Sequence, residues 1–164
     1  MAQQRWTLTV NGQAHDIDAD GQTPLLYILQ NDLALRGPRY GCGLAQCGSC
    51  SVLVDDREVR ACVTPLAAVA GKAITTLEGV AAWHARRRRL ARAPEMHPVQ
   101  QALLETEAPQ CGYCMNGIVM KSAELLDRTP HPTEEEIRAA LAGHLCRCGT
   151  YPSILRAVLK AAKA

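Results

Sequence analysis

A chain of 164 residues, 48% hydrophobic and 21% charged with formal net charge +2, has a globular composition that excludes a disordered tail, a collagen-like chain and a coiled coil. Two Trp, four Tyr and no Phe leave an aliphatic core, and the length suits one domain or two small ones. Without the four arginines from Arg86 to Arg89 the 18 basic residues fall to 14 against 16 acidic ones, so there is one basic cluster, extended by Arg92, and no general surface for nucleic acid.

Residues 5–10 alternate as a strand, with Trp6, Leu8 and Val10 on one face and Thr7 and Thr9 on the other. Asn11-Gly12 is the strongest two-residue hairpin signal, because both central positions of a type I′ turn need φ > 0. Residues 15–19 form the return strand. Pro24 opens a short helix carrying Leu25, Leu26, Ile28 and Leu29, which Asn31-Asp32 ends. Residues 37–50 read as a loop, since Gly37-Pro38, Gly41, Gly43 and Gly48 forbid a regular element. Strands are predicted at 51–54, 59–63 and 74–77, with a turn at Asp55-Asp56. The pattern is α+β and fits a β-grasp sheet wrapped around one helix.

Beyond Gly79 strand signals vanish. Residues 80–96, rich in Ala and Arg, read as a linker with some helical character. Helices are predicted at 99–107, 112–127, 133–144 and 152–162, a small four-helix bundle. Thr133 and Glu136 form a capping box, and Pro152 sits in a first turn where its missing N–H costs little. The expected organisation is a ferredoxin-like domain over 1–79, the linker over 80–96 and a helical domain over 97–164.

The chemistry lies in eight cysteines. No apolar run reaches the roughly 18 residues of a membrane span, and Met1 to Trp6 is polar rather than the start of a signal sequence. A reducing, cytoplasmic setting is expected, where cysteines are metal ligands rather than disulfides. Cys42, Cys47 and Cys50 are spaced C-x4-C-x2-C, and Cys62 follows after eleven residues. This is the plant-type ferredoxin run. Three thiolates converging from one loop on one cluster need a tight curl with inward N–H groups, which Gly41, Gly43 and Gly48 permit. Cys62 is expected from the neighbouring strand. Zinc sites usually pair two CxxC knuckles, so this spacing fits zinc poorly. Cys111-x2-Cys114 and Cys146-x-Cys148, 31 residues apart, would alone leave a redox dithiol or half a zinc site open. Cys111 and Cys114 sit at the N-terminus of one predicted helix and Cys146 and Cys148 just precede another, and two helix N-termini aimed at one site favour an anion. A 2Fe–2S cluster with four thiolates carries about −2 when oxidised.

Gly41-Cys42-Gly43-Leu44-Ala45-Gln46-Cys47-Gly48-Ser49-Cys50, Gln110-Cys111-Gly112-Tyr113-Cys114 and Leu145-Cys146-Arg147-Cys148-Gly149 together resemble the small iron–sulfur subunit of the xanthine oxidase family of molybdenum hydroxylases. The likeness covers nearly the whole chain. Asn31-Asp32-Leu33, the stretch from Gly37 to Gly43 and His97-Pro98-Val99-Gln100-Gln101-Ala102 are most similar to its two-subunit branch, which acts on N-heterocycles such as nicotinate and isoquinoline. The resemblance implies a β-grasp domain and a helical domain with one 2Fe–2S cluster each. It implies a large partner that carries a molybdenum–pterin cytosine dinucleotide and binds the substrate, leaving no catalytic residue here. By position, Gln110 hydrogen-bonds the pterin, with the second cluster near Cys148 close to it. The first cluster passes electrons outward to an acceptor, a cytochrome c or a flavin subunit.

Three positions depart from the family pattern: Ala45 and Asp56 stand where Gly is usual, and Ser49 where Ala is usual. The arginines from Arg86 to Arg92 are an apparent insertion, read as a solvated linker face, with docking of an acidic acceptor as the functional version. Gln110 as a simple helix cap, Tyr40 and Tyr113 as packing residues, Arg147 in an interface salt bridge, and His84, His97, His131 and His144 at surfaces or interfaces are the plainer readings. The alternatives for the whole chain are an aldehyde-oxidising complex, a free-standing two-cluster carrier and, remotely, a zinc-bound scaffold.

Overall fold

The alternating N-terminal stretch buries Leu8 and Val10 in strand β1, Gln4–Val10, which pairs antiparallel with β2, Gln13–Ala19. Asn11 and Gly12 join them at φ 52° and 82°, both left-handed as a type I′ turn requires. The computed structural model describes residues 4–163, so the ends of the expected domains at 1–3 and 164 lie outside the described residues. Leu25, Leu26, Ile28 and Leu29 are all buried on helix α1, Leu25–Tyr27, and on the π turn Ile28–Asp32 that continues it. Strands β3, Ser51–Val54, and β4, Arg57–Arg60, form a second hairpin, and β5, Ala73–Thr75, runs parallel to β1 and antiparallel to β3. The sheet order is β2-β1-β5-β3-β4, with α1 packed in the same core as Leu8, Val10, Val52 and Ile74.

Two strand ends differ from expectation. β4 begins at Arg57 and stops at Arg60, because Val63 N–H and Thr64 Oγ1 both donate to the Arg60 carbonyl and turn the chain. Cys62 therefore sits in a turn and not on a strand. β5 stops at Thr75, where Thr76 N–H leaves the ladder to donate to Asn11 Oδ1 at 2.9 Å.

The expected linker is the larger correction. Residues Val80–Arg88 form helix α2, whose Val80 and Trp83 lie in the core of the helical half beside Leu53 of the sheet. Trp83 Nε1 donates to Asp56 Oδ1 at 2.7 Å, and Arg87 bridges Asp56 (3.1 Å) and Asp127 (2.8 Å). Arg88 donates to the Leu126 carbonyl at 2.9 Å. These two arginines stay exposed but are not idle: they hold α2 against the β3–β4 turn and against helix α4, Met115–Arg128. The departure at Asp56 has the same cause. Its φ of 65° would suit glycine, but the turn needs a carboxylate.

The four predicted helices are present as α3 at Pro98–Glu105, α4, α5 at Glu134–Leu141 and α6 at Tyr151–Ala161, and α2 adds a fifth to the helical half among the described residues. α4 starts at Met115, later than predicted, because residues 111–114 curl into the cysteine loop. The Thr133–Glu136 capping box is present in both directions. His97 forms an unexpected box. Its Nδ1 accepts from Val99 N–H at 3.1 Å, Gln100 Oε1 accepts from His97 N–H at 2.9 Å, and the side chain is buried rather than superficial. Among the described residues no helix is long and apolar enough to cross a membrane.

Burial, with the charges of His84 and Arg88 nearby, pushes the His97 imidazole down to about 3. Between about pH 6.5 and 5 the unfolded chain protonates this ring and the folded chain does not, so acid should remove about 2 kcal/mol of stability through His97. His97→Asn keeps a cap acceptor. Thermal melts from pH 7 to 5 should show a shallower acid slope in this variant, reduced rather than abolished because burial also lowers His144.

Candidate metal centres

The first cysteine loop is shaped by what its backbone must donate. Leu44 and Gln46 N–H groups donate to Cys42 Sγ at 3.3 and 3.2 Å, and Cys42 N–H donates to Cys47 Sγ at 3.3 Å. Gly41 supplies room rather than an unusual φ: a Cβ there would lie 2.6 Å from Cys47 Sγ. Ala45, at φ 59°, is a left-handed residue with a side chain, which costs roughly 1–2 kcal/mol. Burial opposes ionisation of Cys42, but the amides outweigh it and hold the thiol at about 7. Cys50 and Cys62 come from below, both buried, and burial pushes Cys50 up to about 12.

The second set mirrors the first. Cys114 is the N-cap residue of α4, Cys111 is exposed before it, and Cys146 and Cys148 lie in the turn before α6. Cys111 and Cys148 sulfurs are 3.4 Å apart. Burial works against a Cys146 thiolate, but the hydroxyl and amide of Thr150 lower it to about 7. Burial pushes Cys114 up to about 12. In each set a donor-facing thiol, Cys42 or Cys146, ionises readily and a deeply placed one, Cys50 or Cys114, would ionise only against a strong cation, the behaviour of metal ligands.

Grouping of the thiols tests the fit. Cys42 lies within hydrogen-bond reach of Cys47, Cys50 of Cys62, Cys111 of Cys148 and Cys114 of Cys146. Among the described residues no three His, Cys, Asp or Glu side chains converge as on a single ion. Two pairs of sulfurs suit two irons with two thiolates each, and the inward amides and helix N-termini suit the cluster's negative charge.

The two loops meet. Leu145 N–H, next to Cys146, donates to the carbonyl of Cys47 at 2.9 Å. Asn116 Nδ2 donates to the carbonyls of Ser49 and Ser51, each at 2.9 Å. Tyr113 donates its hydroxyl to the Tyr40 carbonyl, and the Arg39 guanidinium lies 5.3 Å from the Tyr113 ring centre. A Cβ on Gly117 would fall 2.1 Å from the Gly48 carbonyl oxygen, and one on Gly48 2.5 Å from the buried ring of His144. His144, expected at a surface or interface, is inside the molecule between the two halves. Asn116 and Gly117 were missed as well. The available signal was an Asn-Gly pair opening a predicted apolar helix, where a glycine has a packing reason. Gln110 is exposed and does not cap α4, whose N-cap residue is Cys114, so the plain capping role fails.

The fold and sites define a protein of two iron–sulfur modules. Residues 8–75 match the family of the 2Fe-2S iron-sulfur cluster binding domain and residues 76–159 that of the [2Fe-2S] binding domain. The chain is 53% identical to a nicotinate dehydrogenase subunit of Pseudomonas putida, over 96% of this chain and 94% of that one. It is 40% identical to the alpha subunit of isoquinoline 1-oxidoreductase of Brevundimonas diminuta, over 94% and 95%. Quinoline 2-oxidoreductase from Pseudomonas putida 86 superposes with a TM-score of 0.87 at 28% identity, covering 100% of this chain and 96% of that one. The chain belongs to the iron–sulfur electron-transfer subunits of the xanthine oxidase family of molybdenum hydroxylases.

Gly117→Ala should force α4 away from the first cysteine loop. Overpacking against backbone costs about 1–3 kcal/mol or more, so the variant should melt lower and hold less iron than the parent.

Proposed function

We propose that Cys42, Cys47, Cys50 and Cys62 ligate one 2Fe–2S cluster, and Cys111, Cys114, Cys146 and Cys148 the other. In this reading electrons pass from a large partner's molybdenum–pterin cytosine dinucleotide through the second cluster to the first, and out to an acceptor. The hydroxylated substrate is an N-heterocycle, with nicotinate first, as the name of the 53% identical relative suggests. The observation that carries this reading is the 2.9 Å bond from Leu145 N–H to the Cys47 carbonyl, which joins the two ligand loops by one hydrogen bond. When bound, the clusters supply one-electron chemistry.

The chain's own residues hold and tune. Amides of Leu44 and Gln46 stabilise charge at the first site, and the start of α4 does so at the second. Gln110, exposed beside Cys111, is free to hydrogen-bond the partner's pterin. Leu44 and Tyr40, exposed beside the first site, offer an apolar contact to a redox partner such as a cytochrome c. The units divide within 76–79, and α2 goes with the helical one. Eight cysteines held for metal rather than for disulfides favour the cytoplasm.

The complex with its large subunit should contain about four irons per small chain and give two rhombic EPR signals after dithionite, with molybdenum in the large subunit. Zinc without iron would overturn the reading, and one signal with about two irons would remove the second site. Gln110→Ala should keep the iron and slow reduction of the second cluster by substrate roughly five- to tenfold, the factor for one hydrogen bond.

A further inference from the structure

Arg60 ends strand β4 and carries its guanidinium into the seam between the cysteine loops. Nε donates to the Ala45 carbonyl at 3.3 Å, inside the loop from Cys42 to Cys47. Nη2 donates to the Gly143 carbonyl at 3.0 Å, on the segment that leads to Cys146. Nη1 meets Glu58, Ser51 Oγ and, at 2.8 Å, His144 Nε2. The ion pair with Glu58 is largely buried, with side-chain exposures of 17% and 10%. Glu58 is fixed in turn, its N–H donating to Glu124 Oε1 at 3.3 Å, and Lys121 pairs with the other oxygen of Glu124 at 2.6 Å.

We infer that Arg60 is a positioning residue for electron transfer between the two clusters: one guanidinium clamps the carbonyls of both ligand loops and so sets the Cys47–Leu145 contact. The inference rests on the two-cluster reading above. The clamp needs donors in a fixed planar fork, which arginine has and lysine lacks. Apart from Arg60, the two loops from different halves of the chain are joined by Asn116, by the Tyr113 hydroxyl on the Tyr40 carbonyl and by one backbone bond. Arg60 also places a positive charge between two anionic sites. Glu58 compensates part of it, so removing Arg60 alone leaves an uncompensated carboxylate in the seam.

Arg60→Met and Arg60→Lys, prepared in the complex with the large subunit, separate position from charge. Iron and sulfide content comes first, followed by EPR-monitored redox titration, the magnetic splitting between the two reduced clusters, and the rate of transfer between them. Arg60→Met should lower both potentials and weaken the splitting. Arg60→Lys should keep potentials near the parent, weaken the splitting and slow transfer by about tenfold or more, as small displacements of reacting groups do. If Arg60→Met fails to assemble, the lysine variant carries the test. Parental splitting and rate in fully loaded Arg60→Lys would overturn the inference, and so would loss of clusters in both variants, which would make Arg60 a folding residue only. A parent complex with fewer than two EPR signals would instead overturn the two-cluster reading.

Discussion

Backbone meets backbone where the loop of the first cluster touches the start of α4, and the rest of the arrangement depends on that contact. Gly48 and Gly117 allow it because neither has a Cβ, and either side chain would occupy space already taken by the Gly48 carbonyl or the His144 ring. At that distance Asn116 reaches two carbonyls of the first loop, and the turn carrying Leu145 and Cys146 can donate to Cys47. A gap of one methyl group would lengthen every one of these bonds beyond useful range. The close approach is therefore what turns two cluster modules into one conductor.

Charge is the second constraint. Two clusters of four thiolates bring about −4 into a chain of 164 residues with formal charge +2. The protein answers locally with amides, helix starts and the Arg60 guanidinium. The thiols show the pattern: Cys42 and Cys146, facing donors, sit at about 7, whereas Cys50 and Cys114, facing aliphatic core, sit at about 12. With the ligands proposed above, iron would have to overcome the burial of the second pair, which couples cluster insertion to closure of the core around Cys50 and Cys114.

Much of this was legible in the sequence because local chemistry dictates it. Asn11-Gly12, the Thr133–Glu136 box, the buried face of α1 and the cysteine spacings each need only a few neighbouring residues. What was not legible depends on residues distant in the chain. In the sequence Asp56 is only a turn residue in place of the usual Gly, and its partners Trp83 and Arg87 lie some thirty residues on. The arginines read as a solvated run because charge is usually outside, yet Arg87 pairs with Asp127 and Arg88 donates to the Leu126 carbonyl in the last turn of α4. His97 and His144 have no ligand spacing, and only tertiary contact reveals one as a helix cap and the other as a neighbour of Arg60.

Helix α2 gives the fold its second attachment, well away from the cysteines in sequence. Were residues 80–96 a flexible linker, the two halves would be held by the cluster seam and by α4 against β3 and β4 alone, with more freedom to vary the distance between the sites. The Asp56–Trp83 bond and the Asp56–Arg87–Asp127 bridge tie the β3–β4 turn to α2 and α4, while Leu53 of β3 lies in the helical core. Exposed bridges of this kind contribute little stability singly, but the indole bond is directional and comes from the buried Trp83. A protein whose task is to keep two redox centres at one separation gains more from a second fixed point than from a stronger first one. The left-handed backbone at Asp56 is the conformational cost of placing a carboxylate at that point.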